Sequence, residues 1–394
     1  MRRIARTALL SAVVAAWVVL STGGVSGAAT GPGATTTVPP STSGPDSGLT
    51  RALQDLVRMP AGPPGAIVVI ERHGALDVVT AGTSVLGGST PIEPTDHLRL
   101  ASVSKALSGA VALSLVARHT LWLSDTIGKW LPGLPQSWSK VTLAQLLQHT
   151  SGIPDFSGTP KFRAAVNAHP YDPPAPASLL SYVEDKGLLF TPGTDYRYSN
   201  SDNVIVGLMI QAATGRSYEQ ELQSQVFGPL GLTGTSLPSG ADLPEPYAHG
   251  YAGLPAEPED VSHAFAAGWA WASGGIVSTP LDTTTFIRGY ASGVTTDPAT
   301  REAQFQFRPG NSEPPGPGTN SAGLAIFRYQ TPCGTVYGHT GNTAGFTQFV
   351  AATADGSRSV VVSVNSQLTP ATDADGFAAL HHVYALAVCS ALDG

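Results

Sequence analysis

The sequence predicts an α/β fold: an antiparallel sheet flanked by helices, built from both chain ends, with an all-α domain inserted between them. Three observations carry that expectation. Strand-like runs stand near the start, at 66–70 and 75–80. A second set stands near the end, at 323–329, 335–339, 345–353 and 359–365. Between them, from about 125 to 270, the pattern is helical with long loops. The strand runs are rich in β-branched residues and bounded by Gly, Asp and Asn. The reading assigns 48–124 and 275–394 to the α/β domain and 125–274 to the helical one.

The N-terminus, 1–29, has the makings of an export signal. Arg2, Arg3 and Arg6 precede an apolar stretch at 8–20, too short to span a bilayer comfortably, and small residues follow to Ala28 and Ala29. No cysteine lies there, so a lipid-modified cysteine anchor is excluded; an uncleaved anchor is the alternative. Residues 30–47, rich in Thr, Pro, Ser and Gly, read as a tether. The expected protein is therefore secreted or held in the cell envelope, monomeric, and without a stable membrane span once the signal is cleaved.

The first helix is expected at 49–57. The two strands after it meet at a tight connection, Arg72-His73-Gly74. The run 106–117 is apolar on nearly all sides and reads as a buried central helix. Thr142-Leu143-Ala144-Gln145 fits a capping box with Val141 and Leu146 as a hydrophobic staple, and that helix is expected to stop at Gly152. Further helices are expected at 203–214, from Ser217, and at 375–392, and Asp355-Gly356 marks a hairpin.

Composition narrows the function. Of 394 residues, 42% are hydrophobic, enough for a large core. The formal net charge of -7, with no basic block, argues against nucleic acid as a partner. The ten histidines contain no His-x-x-x-His pair, so no metal and no cofactor is expected. Cys333 and Cys389 form an even pair, which in an exported chain points to a disulfide; two free thiols are the alternative.

The chemistry is expected at Ser102-Val103-Ser104-Lys105, just before the buried helix. On a helix, Lys105 lies one turn after Ser102, and its ammonium leans back toward the hydroxyl. A serine hydroxyl needs a neighbour to take its proton before it attacks. Alone the pattern is a polar helix start, and it recurs at Ser137-Trp138-Ser139-Lys140, where no helix follows. Two companions single out the first copy. Tyr198-Ser199-Asn200 offers a phenol that can move protons and an amide that can hold a carbonyl; the plainer reading is a loop tyrosine and a cap asparagine. His339-Thr340-Gly341 ends one expected strand, where Gly341 permits close approach of a substrate; the plainer reading of His339 is a satisfied strand-end histidine. His149, in a similar triplet, sits at a helix stop.

In this order the three elements resemble those of the penicillin-recognising serine hydrolases, closest to secreted DD-carboxypeptidases and class C β-lactamases. The segments 146–153, 227–232 and 269–278 add to the resemblance, which covers roughly 48–392. It implies the serine β-lactamase/DD-peptidase fold, with Ser102 as the acylated nucleophile and Lys105 and Tyr198 as a coupled proton-transfer pair. Asn200 would hold the substrate amide, and His339 and Thr340 would face its carboxylate. The backbone N–H groups of Ser102 and Asn342 would form the oxyanion hole, and Trp269 would line the pocket. The family often has lysine at the position of His339 and Ser or Thr at that of Asn342, and Arg328 is the candidate for a carboxylate-binding arginine. The implied substrate is a cell-wall peptide ending in D-Ala-D-Ala, with penicillin as an acylating mimic. A β-lactam or small ester as true substrate, or a non-catalytic module for cell-wall peptides, are the alternatives.

Overall fold

The computed structural model of the protein describes residues 47–393; the expected export signal and all but the last residue of the expected tether lie outside them. Helix α1 (Ser47–Arg58) leads into strands β1 (Gly65–Arg72) and β2 (Ala75–Gly82). They form a two-residue hairpin, Arg72 pairing with Ala75, and the loop residues His73 and Gly74 both have positive φ, 50° and 93°. That geometry matches the twist of paired strands, and glycine adopts it at no steric cost.

The C-terminal part supplies β3 (Arg308–Pro309), β4 (Thr319–Ala322), β5 (Phe327–Thr331), β6 (Gly334–Thr343), β7 (Phe346–Ala352) and β8 (Arg358–Val364). The eight strands make one sheet in the order β2-β1-β8-β7-β6-β5-β4-β3, antiparallel at every pairing. The chain ends meet at β1–β8, from Ala66 opposite Val364 to Arg72 opposite Arg358. Asn365 closes that seam, its Oδ1 accepting from the Gly65 N–H at 2.6 Å.

Both faces of the sheet are covered, so strands such as Val360-Val361-Val362 are apolar without interruption. Ile67, Val69 and Val361 point into a large core shared with α2 (Ser104–Ala117) and α5 (Pro280–Ser292). Ala66, Val68, Ile70, Val360 and Val362 point into a smaller core closed by α1 and α6 (Ala374–Leu392). Each such valine or isoleucine contributes roughly 1.5–3 kcal/mol on burial. Among the described residues α6 is the helix long and apolar enough to cross a membrane, and it packs on the sheet through Leu380, Val383, Tyr384 and Val388. Cys333 and Cys389 are joined, tying the β5–β6 turn to α6; on the chain-entropy view this closure contributes about 4 kcal/mol.

Four expected elements differ. The run 323–329 is not one strand: Ala325, at φ 53°, turns the chain between β4 and β5, and its N–H is taken by the Leu147 carbonyl. The capping-box helix α3 (Leu143–Leu147) is present but stops before Gly152. His149, at φ 55°, leaves the helix because its ring and the Ser151 hydroxyl both bond the buried Asp202. The triplet His339-Thr340-Gly341 lies inside β6, which runs on to Thr343. Helix α4 (Asn200–Thr214) starts three residues earlier than expected and ends as expected at Gly215, φ 68°.

Candidate active site

Ser102 sits on a 3-10 turn, Ala101–Val103, that enters α2. Ala101 has φ 48°, a left-handed conformation that costs a non-glycine residue roughly 1–2 kcal/mol. The turn is pinned on both sides: the Leu100 N–H donates to the Ile276 carbonyl at 2.9 Å, and the Ile276 N–H donates to Ser104 Oγ at 3.1 Å. The result presents Ser102 to a cavity of about 420 Å³ lined also by Asp155, Ser157, Arg197, Tyr198, Asn200, Ser273, Glu313 and Asn342.

Lys105 is 1% exposed. Its Nζ donates to Ser102 Oγ at 3.0 Å, Asn200 Oδ1 at 2.6 Å and the Ser273 carbonyl at 2.7 Å. Burial pushes its pKa down to about 7, against the upward pull of Asp155, Glu313 and Asp202. The surroundings suit a neutral amine as well as an ammonium. Two fixed acceptors take its two N–H groups, and the lone pair is left facing the one partner that carries a proton of its own, Ser102. The Asn200 amide is held with its oxygen toward Lys105, because its nitrogen donates to Asp155 Oδ2 at 2.9 Å and to Ser157 Oγ at 2.8 Å.

Tyr198 lies under the amine, with Nζ 5.0 Å from the ring centre. Burial raises its pKa well above 10; Ser102 opposes that rise, and the charges of Glu313 and Asp155 add to it. The phenol is therefore neutral. Its hydroxyl lies near Ser102 yet outside hydrogen-bond geometry with any group. Behind it, the His149 ring lies tilted with its centre 4.4 Å away and bonds Asp202 at 3.0 Å. Burial drives the Asp202 pKa up and the His149 pKa down.

The strand side of the cavity differs from the expectation. His339 is fully buried; its Nδ1–H donates to the Thr340 carbonyl at 2.6 Å and its ring packs against Phe327. Burial, with Lys105 nearby, lowers its pKa to about 3, so it carries no charge for a carboxylate. Thr340 is also fully buried and donates to the Pro314 carbonyl at 2.6 Å. Neither side chain lines the cavity. Gly341 is needed, though not for a substrate: a Cβ there would stand 2.2 Å from the Leu100 carbonyl oxygen, so glycine lets β6 press against the Ser102 turn. Asn342 does line the cavity, but its amide is taken up by Thr347, Leu368 and Gln367. The pairing of β6 with β5 ends at Gly338, so the β6 edge from 339 to 343 has no β5 partner.

Two further residues stand elsewhere than expected. Trp269 is a core residue, bonded to the His169 carbonyl and edge-on to Phe162; Ala270, Ser273 and Gly274 line the cavity in its place. Arg328 pairs opposite Tyr337, with its guanidinium on Phe307 and Ser321, away from the cavity. Sequence reasoning missed Asp155, Ser157, Arg197 and Glu313. Asp155 directly follows the quoted 146–153 segment and Pro154, and Arg197 precedes Tyr198, so adjacency could have found both. Glu313, in a Pro- and Gly-rich loop, gives no pattern. Among the described residues no group of three or more His, Cys, Asp or Glu could hold a metal ion. The second Ser-x-x-Lys copy stays at the surface, with Ser137 and Lys140 exposed.

Comparison with known proteins bears on the same residues. The family model described as Beta-lactamase matches 53–385. Penicillin-binding protein 4* of Bacillus subtilis (strain 168) is 29% identical over 192 residues, which is 48% of this chain and 41% of that protein, so the match spans under half the relative's length. A D-stereospecific amidohydrolase from Streptomyces sp. superposes with a TM-score of 0.73 at 29% identity, covering 82% of this chain and 95% of that one. The D-amino acid amidase of Ochrobactrum anthropi SV3, complexed with L-phenylalanine amide, gives a TM-score of 0.76 at 24% identity, with 88% and 97% covered, and shows the shared fold.

Proposed function

From the premise that the chain belongs to the β-lactamase family of serine hydrolases, we propose that it cleaves an amide bond through an acyl-enzyme on Ser102. The observation that carries this is the 3.0 Å contact between Ser102 Oγ and a Lys105 amine whose pKa is lowered to about 7. At neutral pH the free amine takes the hydroxyl proton as Oγ attacks the carbonyl carbon. The carbonyl oxygen becomes an oxyanion, held by the Ser102 and Asn342 N–H groups. When the C–N bond breaks, Tyr198, kept protonated by burial, gives its proton to the leaving nitrogen, and the Lys105 ammonium restores it. Water then attacks the ester by the same relay in reverse. The two residues act as one coupled pair.

The likeness to D-stereospecific amidohydrolase supports a D-configured acyl or leaving group. A D-alanyl-D-alanine carboxypeptidase is the second reading, favoured by Arg197 at the cavity, which offers a carboxylate site in place of His339, Thr340 and Arg328. Export follows from the N-terminal pattern alone and belongs to the same proposal.

The test is labelling with a fluorescent penicillin. The parent protein is expected to form a covalent adduct that Ser102→Ala does not form. Long-lived label points to an amidase or carboxypeptidase, and rapid loss to a β-lactamase. Release of D-alanine from a D-Ala-D-Ala peptide, or of ammonia from a D-amino acid amide, then separates the two amide readings. An unlabelled parent that hydrolyses neither amide would overturn the proposal.

A further inference from the structure

Glu313 lines the Ser102 cavity and, among the described residues, has no hydrogen bond and no ion pair within 4.0 Å. It is not on a loose segment. Tyr196 Oη donates to the Asn311 carbonyl at 2.5 Å, and Ser312 Oγ bonds Tyr329 Oη at 3.0 Å. Thr340 donates to the Pro314 carbonyl at 2.6 Å, and the Gly316 N–H to Asn320 Oδ1 at 2.8 Å. The loop is tied down on both sides of the one residue whose side chain is left unsatisfied. A second unsatisfied group stands at the same cavity: Tyr198 lines it, and its buried hydroxyl has no partner.

The charges around Glu313 say what is missing. Burial raises its pKa to about 7, Asp155 raises it further, and Lys105 and Arg197 pull it back only in part. Asp155 is already engaged by Ser157 and Asn200, and Lys105 is spent on Ser102, Asn200 and Ser273. Half-buried at the cavity wall, the Glu313 carboxylate has no ion pair of its own, and a cation supplied by the ligand gives it one. Glu313 and Ser102 line the same cavity of about 420 Å³, so such a cation shares that space with the scissile carbonyl, where an α-amino group would be.

We propose that Glu313 is a specificity-determining residue that anchors a free primary amine beside the scissile carbonyl, so that the substrates are amides of amino acids with an unblocked amino group. This rests on Ser102 being the site of acylation. It disfavours N-blocked peptides, in which that amine is already an amide.

The experiment reads binding apart from chemistry. The full chain with Ser102→Ala is titrated calorimetrically with D-phenylalanine amide and with its N-acetyl derivative. The free amine is expected to bind roughly tenfold or more tightly, as for a hydrogen bond between charged partners. With Glu313→Gln added, that ratio should fall to about twofold or less. The free-amine affinity should peak near neutral pH, falling below it as Glu313 protonates and above it as the amine loses its proton. Lys105 titrates in the same range, and Asp155 and Arg197 also face Glu313, so the Gln variant is the control: it removes the acid-side fall and leaves those groups in place. Equal binding of the two probes, or a preference that survives in the Gln variant, overturns the proposal; should Glu313→Gln not fold, Glu313→Ala is read in its place by the same two probes. Turnover of the same amides by the parent enzyme is scored separately. Preference without turnover removes the hydrolase reading alone, and turnover without preference removes only the amine site.

Discussion

The helical wall and the strand wall of the cavity meet Ser102 with different parts of the chain. From the helical side come side chains: Lys105, Tyr198 and Asn200, each facing Ser102 or one another. From the strand side comes backbone, the unpaired edge of β6, while its side chains at 339 and 340 turn into the core. One turn of spacing at a helix start brings Lys105 back onto Ser102, and the start of a second helix, α4, adds Asn200. A central strand has each face packed, and what it has to offer at its end is an edge of N–H and C=O groups.

That contrast can be broken by substitution. The largest effects belong on the helical wall: Ser102→Ala and Lys105→Met should each lower kcat by at least about a thousandfold, measured on any amide the parent turns over. Asn200→Ala comes next, at roughly a hundredfold in kcat/KM, because it frees both Lys105 and Asp155 from a fixed geometry. The pH profile of kcat/KM should rise through about 7, since below that value Lys105 holds the proton it must accept from Ser102. His339→Gln should leave that limb where it is, because the buried imidazole is already neutral down to about pH 3. A limb that moved with His339 would make the strand wall part of the proton chemistry. The smallest effect is expected from Thr340→Val, about 1 kcal/mol in urea denaturation for the lost bond to Pro314.

Much of the fold was legible. The alternating and continuous apolar runs located the strands near both chain ends, and the Thr142 box, Gly215 and Asp355-Gly356 marked helix and turn limits. What could not be read was where tertiary bonds override a local pattern. Asp202 pulls His149 and Ser151 out of the helix they would otherwise extend, and Leu147 captures the N–H of Ala325 and splits a strand in two. Arg328 was the candidate for a carboxylate-binding arginine, and the strand register puts it opposite Tyr337 rather than at the cavity. Trp269 could line a pocket or back it, and only the ring of Phe162 against it decides.

The sequence by itself placed Ser102 and Lys105 side by side, because they are one helical turn apart and that spacing needs no distant contact. It also put Tyr198 and Asn200 together, two residues apart at the mouth of a helix. Only the tertiary structure decided which carboxylates share their cavity. Asp155 reaches it through Asn200, and Glu313 through a loop anchored by Tyr196, Tyr329 and Thr340. Those partners come from distant parts of the chain, and electrostatic selection among substrates depends on where unpaired charge comes to rest, which no local pattern encodes.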